Sequence, residues 1–253
     1  MKQVFKPLGI AAAVAAASAG YVNVVNAQAV ASNDLGDLAL VPYYTVNGDW
    51  ITGIHIVNTS DQTQVVKFRF RRATDSMDAL DFNVIMSPED VYAGFLSDDE
   101  NGNISWSTSD TTCTAPAATG NLLTMPSIYR VGAETGYVEI IGMGQADATQ
   151  PISLAAIHVN DVPVSCETVR SNFFADGVAG TTRGVIDNAT SHQSAFGTTI
   201  PAGDNTYTDS SNALKVSYFI RDNATGVEFG DNAVHIEDFL DAPSITNQQY
   251  GYF

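Results

Sequence analysis

Lysine and arginine are scarce in this chain: 11 of them stand against 28 aspartates and glutamates in 253 residues, a formal net charge of -17. So acidic a polypeptide repels phosphate backbones and anionic headgroups, which argues against nucleic acid or acidic lipid as a partner. Long apolar runs are scarcer still. The longest, "LGIAAAVAAASAG" (Leu8 to Gly20), spans about 13 residues and is too short to cross a bilayer as a helix. Cysteine is limited to Cys113 and Cys166, with neither a CxxC nor a Cys-His motif, so a zinc site or an activated thiol lacks its usual neighbours. HExxH, GxSxG, a P-loop and a complete GxGxxG after a strand are all missing, and "GMGQA" (Gly142 to Ala146) has only two of the glycines. Carboxylate pairs are so numerous that they single out no glycosidase site.

What is present begins at the N-terminus. Lys2 and Lys6 precede the short apolar run, and "VNA" (Val25 to Ala27) offers small side chains for a signal peptidase. Residues 1–27 therefore read as a secretory signal peptide, leaving a mature chain from Gln28 that is exported to the medium or the cell surface. Cleavage removes two lysines and no acids, and only Lys67 and Lys215 remain as lysines. Salt screens the self-repulsion of such a chain, so solubility in a saline medium explains the acidity. In an oxidising compartment the two cysteines are expected to form one disulfide.

Period-two alternation runs along the mature chain, with no long amphipathic helix. Strands are predicted in "ALVPYYTV", "WITGIHIVNTS", "QVVKFRFRR", "DALDFNVIMSP", "DVYAGFLSD", "NISWSTS", "TGYVEIIGMG", "ISLAAIHVND", "LKVSYFIRD" and "NAVHIEDFL", joined by Asn/Gly/Asp/Ser/Pro turns. This predicts an all-β, antiparallel β-sandwich of immunoglobulin-like or jelly-roll-like form. Residues 28–172 form its core, and 173–253 comprise a long loop-rich insertion (about 172 to 212) plus strands that complete or extend the sandwich. The terminal Phe253 suggests the closing strand of an outer-membrane barrel. Gly251, Gln249 and Asn247 break the apolar alternation such a strand needs, and a soluble domain is favoured.

Two stretches carry charge in a pattern. In "VVKFRFRRATDSMDALDF", Lys67, Arg69, Arg71 and Arg72 gather just ahead of Asp75, Asp78 and Asp81. Alternation places Val66, Phe68 and Phe70 on one face and the cations on the other, a solvated polar face paired with neighbouring carboxylates. The rival reading is an interaction strip for an anionic glycan or an acidic protein face. In "SDDENGNIS", Asp98, Asp99, Asn101 and Asn103 form a calcium candidate around Gly102. Ser97 stands where the first aspartate of a calcium loop belongs, and Thr108 where its bidentate glutamate belongs. The four histidines, His55, His158, His192 and His235, are scattered.

The run from "LVPYYTVNGDW" through "DVYAGFL", with "CETVRSNFF" and "NAVHIEDFLDAPSITNQQ", resembles a group of uncharacterised exported proteins of Gram-negative, often marine, bacteria. The resemblance covers most of the mature chain and implies a secreted or surface-displayed β-rich protein with no assigned activity. Its members run longer at the C-terminus, which implies a truncated chain here and an open edge at "NAVHIEDFL". The expected function is a structural or adhesive surface protein, without catalysis or cofactor apart from calcium. Its expected partners are other copies of itself or cell-surface components. A glycan- or lipid-binding module using Trp50, Trp106, Tyr43 or Tyr44 is the alternative, followed by a secreted hydrolase assembled from scattered Asp, Glu and His.

Overall fold

The computed structural model describes residues 28–99, 101–173 and 205–247. Residues 1–27, expected to be a signal peptide, most of the expected loop-rich insertion (174–204) and His192 lie outside the described residues. Among the described residues the strands are β1 (Ala29–Val30), β2 (Leu38–Thr45), β3 (Trp50–Asn58), β4 (Thr63–Arg72), β5 (Asp78–Met86), β6 (Val91–Asp98), β7 (Ile104–Ser107), β8 (Cys113–Ala115), β9 (Leu122–Thr124), β10 (Thr135–Ala146), β11 (His158–Val159), β12 (Val162–Pro163), β13 (Tyr207–Thr208), β14 (Leu214–Asp222), β15 (Glu228–Asn232) and β16 (Val234–Glu237). Two six-residue helices, α1 (Pro151–Ala156) and α2 (Cys166–Ser171), interrupt them. No helix among the described residues is long and apolar enough to cross a membrane.

Among the described residues the strands form two large antiparallel sheets and a separate two-stranded ribbon, β11-β12. The larger runs β1-β16-β2-β10-β4-β5-β8, with β13 on the end of β10, and the smaller runs β15-β14-β3-β6-β7-β9. The all-β sandwich is therefore observed. C-terminal strands enter both large sheets: the nine-residue β14 pairs β3 in one, and the short β16 pairs β2 in the other. The edge expected at "NAVHIEDFL" is not open, because β1 pairs the far side of β16.

Alternation builds the core. Phe68 and Phe70 of β4, Phe82 of β5 and Trp106 of β7 are fully buried, and the Phe68 ring lies 5.0 Å from those of both Phe82 and Trp106. Each such burial contributes roughly 1.5–3 kcal/mol. Trp106 Nε1 donates to Tyr92 Oη at 2.8 Å, so the indole enters the core without an orphaned donor. Gly94 makes room for it, since a Cβ there would lie 2.5 Å from the indole.

A second apolar cluster lies on the outer face of the larger sheet. Val65, Ile85 and Met143 are covered there by Ile152, Ala155 and Ala156 of α1, by Val169 of α2, and by Phe173, Tyr207 and Ile245. Here the structure corrects the strand expected in "ISLAAIHVND". Pro151 starts a helix at its first turn, and buried Ile152, Ala155 and Ala156 follow helical i, i+3, i+4 spacing while Leu154 is exposed. Only His158 and Val159 of that stretch are extended.

Candidate functional site

The basic strip lies on β4, whose even positions enter the core and whose odd positions face outward. Register sets Arg69 opposite Asp81, Arg71 opposite Asp78 and Lys67 opposite Asn83 on β5; on the other flank, Glu139 of β10 faces Arg69. Lys67 Nζ lies 3.3 Å from Asp81 Oδ1, and Arg69 Nε lies 3.2 Å from Asp81 Oδ2. Arg69 also reaches Asp78 at 3.1 Å, and Arg71 reaches Glu139 at 2.8 Å. Arg72 pairs with Asp75 in the following turn.

The expected solvation of this face is wrong. Lys67, Arg69 and Asp81 are 1%, 3% and 4% exposed. The same outer face carries the second apolar cluster, and the segment Ser244–Asn247 lies over it, with Asn83 Nδ2 donating to the Thr246 carbonyl at 3.0 Å. A cation taken out of water needs a carboxylate close by, which explains why the acids follow so soon in sequence. Burial pushes the Asp81 carboxyl up to about 7 and the Lys67 amine below its ordinary value, so both are drawn toward their neutral forms. Burial also raises Asp78, against the pull of Arg69 and Arg71. Lys67 and Arg69 therefore offer no accessible docking strip.

The calcium candidate is a tight hairpin turn between β6 and β7. Asp99 Oδ1 accepts from the backbone N–H groups of Asn101 and Asn103, both at 2.8 Å, while Asp99 Oδ2 accepts from Asn103 Nδ2. These hydrogen bonds, with that from Asn103 the largest, hold the Asp99 carboxyl below its usual range. Arg130 Nη1 donates to Asn103 Oδ1 and to the Gly102 carbonyl. A guanidinium thus occupies oxygens a cation would need, and Asp98 is the last residue of β6, paired with Ile104 across the hairpin. No cluster of three or more His, Cys, Asp or Glu arranged to hold a metal occurs among the described residues.

Sequence reading missed a Ser–His–Asp grouping. Ser87 Oγ lies 3.0 Å from His158 Nδ1, and Asp90 Oδ2 lies 3.8 Å from the same nitrogen. A base that activates a serine uses one ring nitrogen for the hydroxyl and the other for the carboxylate. Here both partners meet Nδ1, and Asp90 Oδ2 also accepts the Ser87 backbone N–H at 3.0 Å. The arrangement ties the β5–β6 turn to β11 and does not form a relay. His235 is buried, and its Nε2 accepts the Val216 N–H at 2.9 Å, while His55 is exposed on β3.

Cys113 of β8 and Cys166 of α2 form the expected disulfide, which clamps the helix to the edge of the larger sheet. Of the aromatics considered for a binding surface, Trp106 and Tyr44 are core residues. Tyr43 is 44% exposed and Trp50 is half-buried.

The outer face of the smaller sheet is different. Register aligns Phe219, Gly53, Phe95, Ser107 and Leu122 in one row across β14, β3, β6, β7 and β9. Phe219, Phe95 and Leu122 are 37%, 39% and 41% exposed. Lys215 and Arg221 flank the row on β14, and Glu228 faces Arg221 from β15. A signal for this face existed in "DVYAGFLSD", where Tyr92 and Leu96 sit at one parity and Phe95 at the other. Compared with known protein families, curated proteins and solved structures, the chain matches none.

Proposed function

We propose that this chain is an exported, cell-surface structural or adhesive β-sandwich protein that acts through assembly and carries out no catalysis. One observation carries the reading: the cross-strand row of Phe219, Phe95 and Leu122 lies bare on one sheet, while the outer face of the other is overlaid. An exposed apolar row of this kind favours a protein contact. The occupant is a second copy of the chain. Lys215 and Arg221 border the row, and the molecule as a whole carries -17, so this face is complementary in charge to the acidic remainder of another copy. Unlike surfaces in contact give a head-to-tail arrangement that extends into a filament or layer. Sheet edges suit the role less well, because the edge strand β15 carries Glu228 and Asp231, charges that oppose strand addition.

The signal-like N-terminus and the disulfide support export, and the closed Asp99 turn gives calcium no part in the reading. Burial of Trp106 and Tyr44 removes two aromatics from the glycan-binding alternative. Electron microscopy of negatively stained surface material is the test. Regular polymers that disappear with the gene support the proposal; dispersed single particles at high protein concentration contradict it.

A further inference from the structure

We propose that Lys67 and Asn83 are joined by an intramolecular amide bond that the protein forms on itself, with Asp81 as the acid–base group. The proposal goes beyond the assembly reading and does not depend on it.

Three residues of complementary chemistry share one covered face. Lys67 and Asn83 are register partners on adjacent antiparallel strands, and Asp81 precedes Asn83 by two positions, so all three side chains leave the sheet on the same side. Directly opposed Cβ atoms lie roughly 4.5–5.5 Å apart, well within reach of a four-carbon lysine stem. Lys67, Asp81 and Asn83 are 1%, 4% and 1% exposed. Lys67 Nζ is 3.3 Å from Asp81 Oδ1, so the carboxyl already touches the nucleophilic atom. The Asn83 amide is held at one end, its Nδ2 donating to Thr246, while its Oδ1 is buried without a hydrogen-bond partner. An unsatisfied buried carbonyl oxygen is costly, and a carboxylic acid proton would satisfy it.

The site favours the reactive protonation states. Burial draws Lys67 toward the free amine and Asp81 toward the carboxylic acid, which gives a nucleophile beside a proton donor. The neutral Nζ attacks Asn83 Cγ, and Asp81 protonates the developing oxyanion. The carboxylate then takes a proton from Nζ and delivers it to Nδ2. The Cγ–Nδ2 bond breaks, ammonia leaves, the hydroxyl proton returns to Asp81 as the carbonyl re-forms, and the Nζ–Cγ amide remains. Atoms balance with no oxidant, reductant or cofactor. Exclusion of water guards the amide against hydrolysis, and the fixed register supplies the proximity that an intermolecular reaction lacks. A covalent rung between β4 and β5 would suit a chain that bears load on a cell surface.

Peptide mass mapping of the purified mature chain, reduced and digested with trypsin, is the experiment. The expected result is a branched peptide joining Lys67 to Asn83, lighter than its two components by one ammonia, with no cleavage after Lys67. Cleavage at Lys67 with Asn83 unmodified, or Asn83 converted to aspartate without a branch, overturns the proposal. Asp81→Asn should abolish the branched peptide, and Asn83→Asp should restore a branch formed by loss of water. Because the wild-type digest decides the matter, a variant that fails to fold leaves the proposal falsifiable.

Discussion

The ring of Phe219 lies over Gly53. A Cβ built on that glycine would sit 2.0 Å from Phe219 Cε1, and the two residues are register partners on β14 and β3. The aromatic covers backbone that would otherwise be bare, and the glycine lets the ring lie flat in the row that ends at Leu122. Gly53→Ala is expected to push the exposed Phe219 ring off the sheet, a movement of a side-chain end that costs less than about 1 kcal/mol. Urea denaturation of the variant measures this directly.

His235 gives the stability a pH dependence of known sign. Its Nε2 accepts the Val216 N–H, and burial lowers its pKa below the ordinary 6.5, opposed by the Ala233 carbonyl and by Asp34 and reinforced by Lys215. As pH falls through 6.5 the unfolded chain takes up a proton that the folded chain refuses. The histidine's contribution is therefore complete above 6.5 and is lost progressively below it. Denaturation of wild type and His235→Gln at pH 7.5 and pH 5 should show the gap between them narrowing in acid.

Removing the disulfide should cost about 4 kcal/mol, since its 53-residue loop would become unconstrained in the denatured chain. Cys166→Ser combined with Cys113→Ser is the variant to melt. Protease sensitivity is expected to rise first around α2, which loses its covalent hold on β8.

Calcium is expected to leave the hairpin turn at 99–103 unaffected, because Asn103 Oδ1 and the Gly102 carbonyl already accept from Arg130 and Asp99 accepts the turn's own N–H groups. Calorimetric titration at millimolar calcium should give no heat of binding. Arg130→Gln vacates those oxygens and provides the comparison.

The strands that formed as expected are those whose alternation is clean through the middle, such as "QVVKFRFRR" with Val66, Phe68 and Phe70 at one parity and "LKVSYFIRD" with Leu214, Val216 and Ile220. "ISLAAIHVND" misled because a short apolar run suits a buried helix turn as well as a strand, and Pro151 with Ala155 and Ala156 tips it to the helix. The burial of Lys67 and Arg69 was not legible, because what overlays their face of the sheet, α1 and α2 on the second apolar cluster and Ser244–Asn247 beside Asn83, lies far along the chain. Their carboxylate partners were half visible: Asp78 and Asp81 follow within the same hairpin, whereas Glu139 arrives from β10. Phe95 and Phe219 passed unnoticed because exposure depends on whether a third layer covers the sheet. Strand pattern does not encode that.

Sedimentation velocity of the mature protein beside the double variant Phe95→Ser, Arg221→Gln tests the central claim most directly. Both substitutions lie on the outer face, away from either apolar cluster. Wild type should sediment as large species that grow with concentration, and the variant as a monomer of unchanged stability. Identical distributions for the two proteins would contradict the account.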